Sequence, residues 1–142
     1  MSRALPRTIP TLYEGYNFRT RLEARWAVFF DHLGVQWVYE SEGYELGNGL
    51  RYLPDFWLPR NDMWLDVKPG PADVMALEKA RRLFAKSKYP LFLANGMPDN
   101  HGTYIGPREF SIDFAILLPG FRLSEYQLAL FAARGARFGD CK

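Results

Sequence analysis

The chain has few of the residues from which most reactive sites are built. Its single cysteine, Cys141, can form neither a disulfide framework nor a Cys-based zinc or iron–sulfur centre. The two histidines, His32 and His101, each lack a neighbouring ligand at metal spacing and read as surface residues. No glycine-rich phosphate loop occurs. No run of about 18 apolar residues occurs either, which argues against a transmembrane helix. Arg3 and Arg7 alternate with prolines near the start, without the apolar core of a secretory signal. These absences together imply a cytoplasmic setting with no membrane partner.

Apolar and aromatic content is high. Of 142 residues, 48% are hydrophobic and 16% aromatic, enough for one domain around one sizeable core without covalent staples. The net charge of +2 is too small to point to a nucleic-acid partner, but its distribution is uneven. Residues 79–88 hold Lys79, Arg81, Arg82, Lys86 and Lys88 and no acid, whereas residues 31–66 hold seven acids against Arg51 and Arg60. Any one of these charges, taken alone, reads as part of a solvated face.

Residues 1–16, rich in prolines and tyrosines, read as an arm, and residues 17–142 as a single domain. Apolar positions Leu22, Trp26, Phe29, Phe30 and Leu33 recur at helical spacing over residues 19–33, with Gly34 as the stop. Strands are expected over residues 35–39 and 44–46. A hairpin of residues 50–58 and 63–68 follows, turning at Pro59-Arg60-Asn61-Asp62. Pro69 ends the second hairpin strand. Pro71 suits the first turn of a helix with Val74, Leu77, Arg81 and Phe84 on one face. A strand over residues 89–94 precedes a polar, loop-rich stretch over 95–111, broken by a short strand at 103–105. A further strand is expected over 114–118. Ser124-x-x-Gln127 has the form of a capping box opening a last helix with Leu128 and Phe131. The expected class is an α/β sandwich with a central mixed sheet flanked by helices, an α-β-β-β-α-β core plus a C-terminal strand and helix.

Within this frame one constellation carries chemistry. Residues two apart in a strand share a face, so Asp66 and Lys68 point one way while Leu65 and Val67 point the other. The hairpin can bring Asp55 beside Asp66. Two close carboxylates repel unless one is protonated or a cation joins them. Mg2+ takes such oxygens while keeping several waters, and the Val67 carbonyl could add a ligand. The bland alternative is a surface ion pair between Asp66 and Lys68 on an edge strand. Glu23 lies four residues after Arg19, a spacing that also serves exposed helix pairs, yet it shares a side with Trp26, Ala27 and Phe30. Lys79, Arg82 and Lys86 share a helix face that could follow a phosphate backbone or simply face solvent.

Glu23, Pro54-Asp55 and Asp66-Val67-Lys68 resemble the PD-(D/E)XK nuclease superfamily, over about residues 17–95. The segments Phe18-Arg19-Thr20-Arg21-Leu22-Glu23-Ala24-Arg25-Trp26, Tyr52-Leu53-Pro54-Asp55-Phe56-Trp57-Leu58 and Trp64-Leu65-Asp66-Val67-Lys68 are similar to small nuclease-like proteins of phages and mobile elements. The tail Ala133-Arg134-Gly135-Ala136-Arg137-Phe138 is similar to tails in that group.

The resemblance implies a restriction-endonuclease-like fold and a phosphodiester-hydrolysing, Mg2+- or Mn2+-dependent DNA nuclease. Asp55 and Asp66 would hold the metal. Lys68 would orient the attacking water or steady the transition state, and Glu23 would complete the acidic cluster directly or through water. Arg19, Arg21, Lys79, Arg82 and Lys86 are the expected DNA contacts. Asp66 replaces a more frequent Glu and is one methylene shorter, and Lys68-Pro69 is a second departure. So small a chain implies a homodimer or a partner protein, as for a transposition-type endonuclease subunit. If phage-encoded, it would act in the host cytoplasm. Two other classes are a nucleic-acid-binding module with a weakened site and a phage interaction protein that uses the fold as a scaffold.

Overall fold

In the computed structural model, which describes residues 9–118 and 120–138, β1 (Thr11–Tyr13) and β2 (Tyr16–Phe18) form an antiparallel hairpin about Glu14 and Gly15, both at positive φ. Thr11 and Phe18 are buried. This hairpin straddles the arm boundary expected at residue 16, because its aromatic side chains have a core to pack on. Residues 1–8 and Cys141 lie outside the described residues.

Helix α1 (Arg21–Leu33) starts at a capping box. Thr20, extended, accepts the Glu23 N–H, while the Glu23 carboxylate reaches back to the Thr20 N–H. The helix stops at Gly34, which takes the left-handed conformation (φ 71°) that glycine adopts without strain. Its apolar stripe, including Trp26, Ala27, Phe29, Phe30 and Leu33, is buried.

The strands β3 (Val38–Tyr39), β4 (Tyr44–Glu45), β5 (Arg51–Tyr52), β6 (Phe56–Leu58) and β7 (Met63–Lys68) follow. The one strand expected over residues 50–58 is thus two. Pro54 has no N–H to give to a ladder, and the chain leaves the β4–β5 pair there to join the main sheet at Phe56. After Pro69, α2 (Val74–Ser87) begins at Asp73 rather than Pro71, because the Asp73 carboxylate accepts the Ala76 N–H. Ala80 and Leu83 are buried and Leu77 and Phe84 half-buried, whereas Val74 and Arg81, expected on that face, are exposed.

β8 (Leu91–Asn95) is followed by a hairpin of β9 (His101–Ile105) and β10 (Glu109–Asp113), where mostly loop was expected. Gly102 looks like a loop residue but is needed for close packing. A Cβ there would lie 2.3 Å from the Phe92 ring and 2.5 Å from the Leu93 carbonyl oxygen. The strand expected over residues 114–118 is instead a single helical turn, α3 (Phe114–Leu117), capped by Asp113. Finally α4 (Leu123–Gly135) begins at Arg122, with Glu125 accepting the Arg122 N–H, ahead of the expected Ser124 box. It buries Tyr126, Ala129, Leu130 and Ala133, and leaves Leu128 and Phe131 exposed.

The class is α/β, with a central mixed six-stranded sheet and four helices among the described residues. Strand order is β10-β9-β8-β7-β6-β3. β7 and β8 are parallel, joined across α2, and the other neighbours are antiparallel. On one face, α1 and α4 enclose Phe56, Leu65, Val67, Phe92 and Phe114. On the other, α2 covers Trp64, Leu91, Leu93 and Ile105. Trp26 meets Phe114 edge-on at 5.3 Å and Phe30 meets Phe56 at 5.4 Å, geometries that add to simple area burial.

Arg25 joins the helices: its guanidinium donates to the carbonyls of Ala133 (2.8 Å), Arg134 (2.8 Å) and Ala136 (3.3 Å) and lies over the Phe138 ring. It thereby satisfies the carbonyls left open at the end of α4. No helix among the described residues is long and apolar enough to cross a membrane.

Candidate active site

The β6–β7 ladder pairs Leu58 with Met63, Trp57 with Trp64 and Phe56 with Leu65. One step further, Asp55 stands opposite Asp66, and side chains take over from backbone. The Asp55 N–H donates to Asp66 Oδ1 (3.1 Å), and the Val67 N–H donates to Asp55 Oδ2 (2.7 Å). Strand alternation then puts Asp66 and Lys68 on one side, as expected, with Leu65 and Val67 in the core on the other.

Asp66 is 3% exposed and fully engaged. Its Oδ2 accepts the Tyr52 hydroxyl at 2.6 Å and lies 3.0 Å from Lys68 Nζ. Burial and the Asp66 charge push the Tyr52 phenol far up, so it remains a donor. Burial works to lower the Lys68 pKa, but Asp66, then Asp55, outweigh it and hold the ammonium above its usual value. This is an anchored pair at the mouth of a cleft, not an idle surface pair. Burial, the Asp66 carboxylate and then Glu23 raise the Asp55 carboxyl well above the usual range. That shift reflects a carboxyl withdrawn from water beside two others, a crowding that the Lys68 ammonium does not outweigh.

Glu23 is 4% exposed and reaches the same place from α1. Its Oε1 accepts the Thr20 N–H (2.9 Å) and hydroxyl (3.1 Å), and its Oε2 accepts the Tyr39 hydroxyl (3.2 Å). The pairing with Arg19 allowed by spacing does not form, because Arg19 binds Glu40. One turn further along α1, Trp26 Nε1 donates to the Gly96 carbonyl (2.8 Å), and the Gly96 N–H donates to the Lys68 carbonyl (2.8 Å). The helix carrying Glu23 is therefore tied to the strand end carrying Lys68.

Glu23, Asp55, Asp66, Val67 and Lys68 all line one cleft of about 840 Å3. Arg19, Arg21, Arg51 and Lys79 line it too, and of these Arg21, Arg51 and Lys79 make no ion pair among the described residues. The other two cations of the expected stripe lie elsewhere. Arg82 binds Glu78 at 3.0 Å, and Lys86 donates to the Glu45 carbonyl. A helical stripe and a cleft wall are different surfaces, and only Lys79 belongs to both. His32 and His101 are exposed.

Among the described residues, no three His, Cys, Asp or Glu side chains stand together ready to hold a metal ion. Glu23, like Asp66, has donors on both oxygens. Asp55 and Asp66, opposite each other just past the β6–β7 ladder, are the two candidate carboxylate ligands. Sequence pattern alone assigns no role to Tyr52, Tyr39, Thr20 or Arg51. Thr20-x-x-Glu23 is itself a capping-box spacing and could have revealed the commitment of Glu23. For Tyr39 and Tyr52 no local signal exists, since each meets its carboxylate through tertiary packing.

No family model matches the chain, and neither a curated protein nor a solved structure matches it.

Proposed function

We propose that this chain is a divalent-metal-dependent deoxyribonuclease with a restriction-endonuclease-like fold, hydrolysing phosphodiester bonds at the Asp55–Asp66–Lys68 cluster. The observation that carries the reading is the reciprocal hold of Asp55 and Asp66, with Lys68 3.0 Å from Asp66, in a cleft whose wall also carries cations without an ion pair among the described residues. An acidic centre under a basic wall suits a polyanion that needs both a cation at its reacting phosphate and contacts along its backbone.

The residues present fit Mg2+ or Mn2+. Asp55 and Asp66 would hold the ion, with the Val67 carbonyl as a third protein ligand, leaving positions for water and phosphate oxygens as Mg2+ favours. Such an ion, when bound, would lower the pKa of its water and polarise the phosphoryl oxygen. Lys68 keeps its proton and supplies positive charge where negative charge grows on the phosphoryl oxygens. Tyr52 holds the Asp66 carboxylate in place. Glu23, committed to Thr20 and Tyr39, acts through water and through its field. Arg21, Arg51 and Lys79 hold flanking phosphates.

A second reading has one observation in its favour. Asp66 already has donors on both oxygens, which suits a DNA-binding module with a weakened site. Incubation with plain, nicked, flapped and four-way DNA in Mg2+ or Mn2+, beside Asp66→Asn, separates the two. Metal-dependent cleavage lost in the variant supports the nuclease. Retained DNA binding without cleavage in any metal supports the binding module.

A further inference from the structure

A second hollow, of about 450 Å3, opens beside the cleft and shares Lys68, Pro69, Ala76 and Lys79 with it. Beyond that shared edge its wall is formed by Gly70, Pro71, Ala72, Asp73 and Met75. The volume falls in the range of small-molecule sites. Its chemistry differs from that of the cleft. Two prolines, two alanines and a methionine give it an apolar lining, and α2 leaves Met75 55% exposed there and Val74 81% exposed beside it. Its one carboxylate, Asp73, accepts the Ala76 N–H at Oδ1, and Oδ2 makes no hydrogen bond among the described residues. An anion would be repelled by Asp73, and an aliphatic ligand would leave that oxygen unused. A flat ring with a polar edge suits both features. The cations at the shared edge, Lys68 and Lys79, stand where the phosphate attached to such a ring would lie.

We propose that this hollow seats one unstacked nucleobase beside the scissile phosphate, its face against Met75 and the prolines and an exocyclic amino group toward Asp73. The inference rests on the nuclease reading and specifies its substrate: DNA with an unpaired strand, single-stranded or flapped. A base paired within a duplex would first have to leave the stack.

The test uses the full chain in Mg2+ and one oligonucleotide in three forms: single strand, full duplex, and single strand with an abasic position walked across the cleavage point. The single strand is expected to be cut at least about tenfold faster than the duplex, given the cost of unstacking a paired base. One abasic position should slow cleavage about two- to tenfold, the range for a thioether–ring contact. Met75→Ala should slow the intact strand by the same factor and leave the abasic strand unaffected. Because Met75 is exposed, the variant should fold, and circular dichroism checks this. Asp73→Asn keeps the helix cap and should shift preference at that position away from amino-bearing bases toward thymine. Mg2+-dependent cutting of duplex as fast as single strand, or indifference to every abasic position, overturns the hollow's role and leaves the nuclease standing. Absence of Mg2+-dependent cleavage on all three substrates overturns both.

Discussion

Asp55 and Asp66 hold each other's strand: the Asp66 carboxylate takes the Asp55 N–H, and the Asp55 carboxylate takes the N–H of Val67, next to Asp66. Two like charges are thus fixed face to face by the backbone. Asp66→Asn keeps the shape and an acceptor for Asp55 and removes the charge. Its NH2 replaces the oxygen that accepts from Tyr52, so the tyrosine hydroxyl must turn to accept instead. Cleavage should be abolished, at a smaller cost in melting temperature than for Asp66→Ala. Asp66→Ala should also abolish cleavage, and should cost about 2–4 kcal/mol as well, since the buried Tyr52 hydroxyl and Asp55 N–H lose their acceptor. Relief of the repulsion on Asp55 offsets part of that. Denaturant melts of both variants check the difference.

Lys68 should separate chemistry from binding. Lys68→Ala removes a cation, not a ligand, so stabilisation by Mg2+ in a thermal melt should persist or grow while turnover falls roughly 10²–10³-fold, the usual loss for one electrostatic stabiliser. Equal cleavage rates in Lys68→Ala and the parent would remove the main chemical support for the assignment.

The raised pKa of Asp55 sets a pH dependence. Its folded value lies above its unfolded one. Its contribution to stability is therefore fully present below the unfolded pKa, about 3.9 for an aspartate, and is lost as pH rises through the folded value. Without metal, the melting temperature should fall across that window more steeply than in Asp55→Asn, which keeps an acceptor for Val67 and cannot ionise. Mg2+ at neutral pH should recover the lost stability in the parent and not in the variant. Coincident profiles for the two proteins would show that Asp55 is not under strain.

The site was legible where geometry is local, and illegible where it is tertiary. Alternation in one strand placed Asp66 with Lys68, and the hairpin allowed Asp55 to lie beside Asp66, although its register is set by the folded sheet. Tyr52 was hidden because Pro54 splits the strand that carries both it and Asp55, so the tyrosine reaches Asp66 from the β4–β5 sheet. For the fold, α1 could be read from its stripe and its glycine stop. Of the β9–β10 hairpin only residues 103–105 of β9 could be read, and β10 could not. It lies at the sheet edge, its residues are mostly polar, and Gly102 marks close packing on Phe92 rather than a turn. The helical turn at Phe114 carries an apolar run as a strand would, and the Asp113 cap decides between the two.

Arg25 ties α1 to the end of α4. Its guanidinium serves three carbonyls at the end of α4 and covers Phe138. Arg25→Lys, with one point charge in place of a planar fork, should lose about 1–2 kcal/mol. Arg25→Ala should lose more and speed hydrogen exchange in α4 ahead of the sheet. Uniform loss of protection across the protein would show instead that α4 is not an independently loosened unit.

Two sets of cations could meet a DNA strand. Arg51 and Lys79 line the cleft without ion-pair partners among the described residues, whereas Arg82 is held by Glu78 and Lys86 by the Glu45 carbonyl. Removing one cation that touches a phosphate should reduce the slope of log affinity against log salt by about 0.7 for a single strand or 0.9 for duplex. Arg51→Glu with Lys79→Glu should thus weaken binding and flatten the slope by about twice that amount. Arg82→Glu with Lys86→Glu carries the same change in net charge, but off the cleft. It should shift affinity slightly and leave the slope near its parent value. Because the two pairs match in charge, the comparison separates direct phosphate binding from long-range attraction. Equal flattening by both would mean that DNA follows the α2 stripe rather than the cleft wall.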